Sequence, residues 1–382
     1  MSTRSFFTRV EALRAVGAAL VAAHHFSAMP LHGVPLLPHL PWSSAGELQN
    51  TIGRIMLALL PGHAALMMFF VISGFVLRVS LEYGPQEPVR CATRFCLARL
   101  FRFYPIVLVA VAVGLLMIYA GFDVPREPAN SHPTIGTAVA NFLLLDVSLN
   151  PHFWAFQLEL LMAPIIVSLY LLERRYGWQV VAAIAVITTL LSFSGRWAIS
   201  KPLSTQMFVF IVGMLIPTIG RQLVSSLSNR GAARLVGAAV LVLFGTHLLF
   251  GFYSRFTAIF ETYAAAALIS IAAYRSADCL AVLDWRPLQM LGRCAGSFYV
   301  LHILVAVAAF IPIKASIPAE WVVRAPIFIT PVVLVVLLGC VVPLAVIGYR
   351  WIEAPGVRVG QKVIHRLGLR SGREQVPAGA AL

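Results

Sequence analysis

Long apolar runs separated by short polar segments repeat along the whole chain. A transmembrane helix needs about twenty predominantly apolar residues, whereas the strands of a membrane barrel are shorter and alternate apolar with polar positions. The runs therefore predict helices, and they mark ten spans: residues 11–29, 56–77, 103–121, 152–172, 179–195, 204–220, 235–252, 256–274, 289–312 and 326–350. The expected fold class is all-α, a polytopic transmembrane helical bundle.

The composition agrees with this fold class. Of the 382 residues, 59% are hydrophobic and 12% are charged, and the mean hydropathy is +0.85. Soluble domains carry roughly 25% charged residues, so the composition favours a membrane protein. The five cysteines show neither pairing nor metal-ligand spacing, and we expect no disulfide and no zinc site.

Positive charge is distributed unevenly between the two ends of the predicted spans. With both termini inside, 22 of the 29 Lys and Arg residues lie in inner segments. The seven on the outer side are Arg54, Arg126, Arg196, Lys201, Arg255, Lys314 and Arg324. Because short cytoplasmic loops carry the excess of Lys and Arg, this bias predicts that both termini are cytoplasmic. It also explains the net charge of +14 by topology and leaves nucleic-acid binding without support.

The spans and their connections predict two regions, a transmembrane domain over residues 1–356 and a basic, solvated cytoplasmic tail over residues 357–382. Residues 30–55 and 122–151 are long outer loops that contain several prolines. We interpret them either as the frame of an external substrate mouth or as mere connections. We find no internal repeat.

The first span carries polar residues where a membrane helix is normally apolar. Arg14 and His25 are eleven residues apart, which is roughly 20° beyond three full turns and roughly 16 Å along the helix axis. They therefore share a face, and this face has to contact protein or water because lipid cannot satisfy it. The pattern indicates a functional site, although a histidine can also hydrogen-bond a neighbouring helix for purely structural reasons. A cleaved signal peptide is a further alternative, but its apolar core would not contain His24 and His25.

Two further segments have both a structural and a functional interpretation. Ser73 and Gly74 lie near the inner end of the second span, where small residues usually permit close helix packing. Arg99 and Arg102 share one helix face at the inner membrane surface. Their guanidinium groups suit the oxygens of a phosphate, or they are anchors that touch anionic lipid.

The remaining candidates are intramembrane ionisable groups. Glu159 lies seven residues into the fourth span, and this depth brings it to about the level of His25 in a hydrocarbon core that is ~30 Å thick. A carboxylate there could orient an imidazole, as in acyl transfer. His302 in the ninth span is interpreted as a structural partner, and Glu353 at the inner face as the partner of an inner arginine.

Taken together, these segments resemble the acyltransferase-3 family of membrane O-acyltransferases. Five motif segments and a closing Glu-x-Pro occur in the family's order between Arg9 and Pro355. The matching positions are Leu13, Arg14, Ala15 and His25; Phe69, Phe70, Ser73, Gly74 and Phe75; Arg99, Arg102 and Pro105; Trp154 and Glu159; Tyr299 and His302; and Glu353 and Pro355. The sequence departs from the family pattern at Ala155, Phe156, Ala295 and Gly296.

The resemblance implies transfer of an acyl group, most often acetyl, from cytoplasmic acyl-CoA to a hydroxyl of a sugar or cell-surface glycan, at the cell (inner) membrane. It assigns the donor's phosphates to Arg14, Arg99 and Arg102, with Ser73 on the same side. His25 is then the general base or the carrier of a transient acyl group, and Glu159 orients it or balances its charge. The supporting residues are Glu11, Tyr299, His302 and Glu353.

The expected partners are acyl-CoA as donor substrate, a sugar or glycan acceptor and the lipid bilayer, with no metal and no permanently bound cofactor. A proton-coupled transporter is the rival function, in which His25, His302 and Glu159 would form a relay. Transporters often show inverted repeats, and the absence of a repeat together with the inner arginines favours a CoA-dependent enzyme.

Overall fold

The computed structural model describes residues 3–37, 48–126, 133–275 and 277–369. These residues form a helical bundle with one short antiparallel hairpin, in which Pro30–Leu31 pairs with Val34–Pro35. The helices are α1 (Thr3–Ala28), α2 (Leu48–Ala58), α3 (Gly62–Glu82), α4 (Pro88–Tyr119), α5 (Ile135–Phe142), α6 (Trp154–Tyr176), α7 (Trp178–Leu191), α8 (Lys201–Met214), α9 (Arg221–Ser225), α10 (Asn229–Phe250), α11 (Arg255–Tyr274), α12 (Arg286–Arg293), α13 (Ala295–Ser316), α14 (Ala319–Arg324), α15 (Pro326–Gly348) and α16 (Ala354–Arg366). The all-α fold class is confirmed.

Each of the ten predicted spans coincides with a helix, and the described residues include eight segments that are long and apolar enough to cross a membrane. The other two predicted spans are α1 and α7. The first is less apolar because it carries Glu11, Arg14, His24 and His25, and the second belongs to an apolar segment, Trp178–Ser194, that is shorter than the others.

Glycines bring α3 unusually close to α8. A Cβ atom at Gly74 would lie 2.0 Å from the carbonyl oxygen of Phe210, and one at Gly213 would lie 2.2 Å from that of Val71. No side chain fits at such distances, so the two backbones meet at these residues. Helix α3 also packs against α1, α6 and α11, and it therefore lies at the centre of the bundle.

The second predicted outer loop, residues 122–151, returns into the bundle at its end. The hydroxyl of Tyr104, halfway along α4, donates to the Leu143 carbonyl at 2.9 Å. The loop closes with a short 3-10 helix, Pro151–Phe153, and the Tyr299 hydroxyl on α13 donates to the His152 carbonyl at 3.1 Å. This loop is more than a connection, because its last residues pack between membrane helices.

The predicted tail also begins as packed structure. Residues up to Arg366 continue as α16, which lies against α4. A Cβ atom at Gly360 would be 2.5 Å from the Cβ atom of Phe101, so this contact is close as well. An amphipathic helix with glycines on its packed face explains why residues 357–366 are not a solvated tail. Residues 370–382 lie outside the described part of the chain.

Three hydrogen bonds join helix ends or loops that the charge pattern places on the same side of the membrane. Among the segments predicted inside, the Arg9 Nε donates to Asp284 at 2.8 Å, and Arg174 donates to the Gln86 carbonyl at 3.0 Å. On the predicted outer side, Arg255 donates to the Thr205 carbonyl at 3.1 Å. That the first group faces the cytoplasm stays a prediction from the charge bias.

Candidate active site

The two neighbouring histidines of α1 point to different partners, because adjacent helical residues are ~100° apart. The Nδ1 atom of His24 lies 3.0 Å from the carbonyl oxygen of Leu60, and its ring lies against Phe252. The Nδ1 atom of His25 instead lies 2.8 Å from Nε2 of His302 on α13, and the two rings are stacked. Of the two, His25 is therefore the one that contacts His302, a candidate residue on α13.

The hydrogen bonds of His302 determine which nitrogen of His25 is basic. The Nδ1 atom of His302 lies 2.5 Å from the carbonyl oxygen of Tyr299, and a carbonyl can only accept, so Nδ1 carries the hydrogen. The Nε2 atom of a neutral His302 then accepts from the Nδ1–H group of His25. These hydrogen bonds assign the hydrogen of a neutral His25 to Nδ1 and its lone pair to Nε2, which can take a proton from a substrate.

A third histidine lies in this cluster, and the sequence analysis did not select it. The ring of His152 is 4.6 Å from that of His25 and 6.1 Å from that of His302, both edge-on. It arrives on the short helix that ends the loop of residues 122–151. Its position at the edge of the fourth predicted span, two residues before Trp154, was the available signal. Among the described residues, no group of three His, Cys, Asp or Glu is arranged to hold a metal ion.

Two adjoining cavities lie on the inner side of this histidine cluster. Both are partly open, with about 460 Å³ and about 270 Å³ of free space that includes solvent at their mouths, and both are lined by Arg14, Arg102, Phe103 and Glu159. The larger cavity is further lined by aromatic residues and by small ones: Phe69, Phe70, Phe156, Tyr299, Ala155, Ala295 and Gly296. The smaller one is further lined by Ser73, Leu77 and Arg99 among others. Together they give an apolar chamber with a cationic end.

Tyr299 separates the larger cavity from the histidines. Its side chain lines the cavity, while its backbone carbonyl holds His302 and its ring centroid lies 5.4 Å from that of His302. Neither His25 nor His302 lines the cavity, but Tyr299, which does, lies against the His302 ring.

Arg99 and Arg102 are buried in the bundle, with only 7% and 5% of their surface exposed. Their guanidinium carbons lie 5.6 Å and 6.0 Å from the centre of the Phe103 ring. An anchor for lipid headgroups would be exposed at the membrane surface, so the burial argues against that alternative. Binding of a donor phosphate by these two residues stays a prediction.

Glu159 has a different neighbour from the one predicted. Its Oε1 atom accepts a hydrogen bond from the Ser73 hydroxyl on α3, and it interacts electrostatically with Arg14 and Arg99. The partner that fixes the His25 ring is His302. The carboxylate therefore faces the cavity arginines, and no hydrogen bond between Glu159 and His25 occurs among the described residues.

Two of the supporting residues, Glu11 and Glu353, lie near the same arginines. The Oε1 atom of Glu353 lies 3.8 Å from a guanidinium nitrogen of Arg102, and its Oε2 atom accepts from the Ser297 hydroxyl at 2.8 Å. Glu11 is buried and interacts electrostatically with Arg14 and Arg102. The carboxylates on α1, α6 and at the end of α15 thus balance the charge of the buried arginines.

A buried histidine–carboxylate pair lies apart from the histidine cluster. The Nδ1 atom of His63 on α3 is 2.5 Å from Oε2 of Glu261 on α11. The Tyr253 ring approaches His63 edge-on at 5.9 Å. The sequence analysis did not identify this pair, because its two members are separated by almost two hundred residues and each lies in an otherwise apolar run.

Comparison with known proteins identifies one family. A family model described as an acyltransferase domain matches residues 7–350. No curated protein and no solved structure matches the chain.

Proposed function

The chain belongs to the acyltransferase-3 family, and we propose that it moves an acyl group, acetyl in the simplest case, from cytoplasmic acyl-CoA to a hydroxyl of a sugar or cell-surface glycan. The enzyme would act as a multi-pass protein of the cell membrane, with eight segments that are long and apolar enough to span it. Acyl-CoA is then a substrate and no permanently bound cofactor is required.

The observation that carries this proposal is the cavity with arginines at one end and the His25–His302 pair beyond the other. The three guanidinium groups of Arg14, Arg99 and Arg102 lie together inside the bundle and suit an anion with several phosphate oxygens. Coenzyme A carries its phosphates far from its thioester. A donor of this shape would place its phosphates at the arginines and its apolar arm along the phenylalanine-lined chamber.

The His25 ring supplies the base for the transfer. Its Nε2 atom takes the proton of the acceptor hydroxyl as the hydroxyl oxygen attacks the thioester carbonyl. The carbon–sulfur bond then breaks, and the coenzyme A thiolate takes the proton from the imidazolium. His302 holds the ring throughout, because its Nε2 atom accepts from Nδ1–H of His25 in both protonation states. In the alternative order, Nε2 of His25 itself attacks the thioester and the acceptor then removes the acyl group.

The test is acyl transfer by the purified protein in vesicles that contain radiolabelled acetyl-CoA, together with mass spectrometry of surface glycans from cells with and without the protein. We expect acyl groups on the glycans only when the protein is present, and their loss in cells that produce His25→Ala. The proposal would be contradicted if the glycans were the same with and without the protein and the purified protein also failed to bind acetyl-CoA. Uptake of protons without acyl transfer would instead favour the transporter.

A further inference from the structure

The loop that carries His152 is fixed by its own side chains. Asp146 accepts a hydrogen bond from the Ser148 amide at 3.1 Å, and the side-chain oxygen of Asn141 accepts from the Leu149 amide at 3.2 Å. The Gln157 amide on α6 donates to the Leu144 carbonyl at 3.0 Å. Since polar groups hold the loop at both ends, its last residues have a defined position before any substrate arrives.

These last residues place His152 beside the catalytic pair and Asn150 on the same turn. The Oδ1 atom of Asn150 accepts a hydrogen bond from the His152 amide at 3.2 Å and so caps the short helix Pro151–Phe153. The ring of His152 contacts that of His25, as described above. Asn150 and His152 therefore belong to one turn, on the side of His25 that the outer loop approaches.

Each of these side chains has a buried polar atom without a partner. Within the part of the chain that the structure describes, neither Nδ2 of Asn150 nor Nδ1 of His152 has a hydrogen-bond partner. Asn150 is only 5% exposed. Buried polar atoms in folded proteins are almost always paired, so two unpaired ones on one turn beside the base indicate a polar ligand. The Asn150 amide nitrogen can only donate, and His152 Nδ1 donates or accepts depending on its tautomer.

We propose that Asn150 and His152 form the acceptor subsite and bind hydroxyl groups next to the hydroxyl that is acylated. The inference rests on the proposed function and names the class of acceptor, a polyol with neighbouring hydroxyls such as a pyranose. One hydroxyl faces Nε2 of His25, and its neighbour takes the Asn150 and His152 atoms. An alcohol with a single hydroxyl would leave these two atoms unpaired and would be a poor acceptor.

The test compares acetyl transfer from acetyl-CoA to methyl glucopyranoside and to its 2-, 3- and 4-deoxy derivatives. The decisive variant is Asn150→Asp, which is isosteric, keeps the oxygen that caps the turn and removes the donor. Its matched control is Asn229→Asp at the exposed start of α10, where the side-chain oxygen likewise accepts, from Arg275 at 3.2 Å. A second variant, His152→Phe, keeps a ring against His25 without Nδ1. Affinity for coenzyme A reports folding of each variant.

We expect the parent to lose about tenfold or more in kcat/KM when one particular hydroxyl of the glycoside is removed. Asn150→Asp should lose a similar factor in kcat/KM on the glycoside itself. Its kcat/KM should then be about the same for the glycoside and for that deoxy derivative, whereas Asn229→Asp should prefer the glycoside as the parent does. Surface polysaccharide extracted from cells lacking the protein serves as a second acceptor, on which Asn150→Asp should raise KM and Asn229→Asp should not.

Two results would overturn the subsite. One is a parent that transfers acetyl to all the glycosides equally well, and the other is an Asn150→Asp protein that discriminates among acceptors as the parent does. A parent that binds no acetyl-CoA and acetylates neither the glycosides nor the polysaccharide would contradict the proposed function instead, so the two failures are distinguishable.

Discussion

At the scale of single residues, the candidate base depends on a partner that is far away in the sequence. His302 receives its orientation from the backbone of Tyr299 and passes it to His25 through one hydrogen bond. The arrangement resembles the base-plus-orienter logic of acyl-transfer enzymes, with a neutral imidazole in place of the usual carboxylate. Glu159 is then free to balance the charge of the cavity arginines.

The first prediction separates His25 from His24. Loss of a general base typically costs about 10²–10⁴ in rate, so His25→Ala should abolish measurable acyl transfer while the protein still binds acyl-CoA. His24→Ala should retain substantial activity, because this ring hydrogen-bonds the Leu60 carbonyl and contacts Phe252. The measurement is transfer per folded protein, with coenzyme A binding as the measure of folding. Parent-like turnover in His25→Ala would refute the assignment of the base.

The second prediction concerns the donor's phosphates. A hydrogen bond between charged groups contributes about 1.5–3 kcal/mol, so Arg99→Ala or Arg102→Ala should weaken acyl-CoA binding by about one to two decades. Lysine should restore the affinity only in part, because the guanidinium fork is lost. Arg234→Ala is the matched control, because this arginine is exposed on α10, and the variant should bind like the parent. Calorimetry measures the affinity, and unchanged binding in the folded double alanine variant would remove the phosphate role.

At the scale of elements, close packing and short polar links decide how the helices meet. Gly74 lets α3 touch α8, and the Ser73 hydroxyl beside it reaches Glu159 on α6. The Ser-Gly pair of the second span therefore permits close packing, as the sequence predicted, whereas donor binding by Ser73 stays a prediction. The glycine serves the packing of the bundle and the serine contributes to the cavity.

The third prediction tests the packing at Gly74. A methyl group there would come within 2.0 Å of the Phe210 carbonyl oxygen, so Gly74→Ala forces the two backbones apart. Overpacking of this kind costs about 1–3 kcal/mol, and we expect a lower melting temperature in detergent. Gly245→Ala in α10 is the control, because nothing lies within 4 Å of its added methyl group. Equal melting temperatures for the two variants would contradict the close approach.

The fourth prediction is that the stability contributed by the ion pair between Arg9 on α1 and Asp284 depends on pH. The hydrogen bond from Arg9 lowers the pKa of Asp284 below its ordinary value. The link should therefore stabilise the protein above the ordinary pKa of an aspartate, about 3.9, and be lost as the pH falls through the lowered value. The effect should be small, since half of the Asp284 side chain is exposed.

Melting curves between neutral pH and pH 3 can measure this effect. Asp284→Asn should melt below the parent at neutral pH, and the difference should vanish towards the acidic end. Asp123→Asn, in an exposed turn on the opposite side, is the control. A difference that persists unchanged at pH 3 would show that the Arg9 link is not its cause.

The elements also show what the sequence could predict and what it could not. Apolar run length located a helix at each of the ten predicted spans, and eight of the resulting segments are long and apolar enough to cross a membrane, because run length is a local property that the bilayer imposes. It could not foresee that the loop before Trp154 returns into the bundle, since the polar contacts of Asn141 and Asp146 form only in the folded loop. Motif positions selected His25 and the arginines, but they could not show that Glu159 hydrogen-bonds Ser73 on α3, because this contact forms only in the folded bundle.

At the scale of the whole molecule, the two proposed substrates reach the site from opposite sides. The cavity proposed for the donor lies on the side of the arginine-rich helix ends, and the Asn150–His152 turn comes from the loop predicted outside. An enzyme of this design passes an acyl group across the membrane's permeability barrier without moving either substrate through it. The design requires that residues 78–102 face the cytoplasm.

The fifth prediction tests that orientation with single cysteines in a cysteine-free background. Val89, 71% exposed at the start of α4, is replaced by cysteine to report the side of the arginines, and the exposed Asp123 is replaced by cysteine to report the other. Because 22 of 29 positive residues lie on the predicted inner side, a membrane-impermeant maleimide should label Asp123→Cys in intact cells. It should label Val89→Cys only after permeabilisation. Labelling of Val89→Cys from outside would show that the topology is the opposite of the predicted one. The arginine cavity would then lie on the side away from the cytoplasmic pool of acyl-CoA.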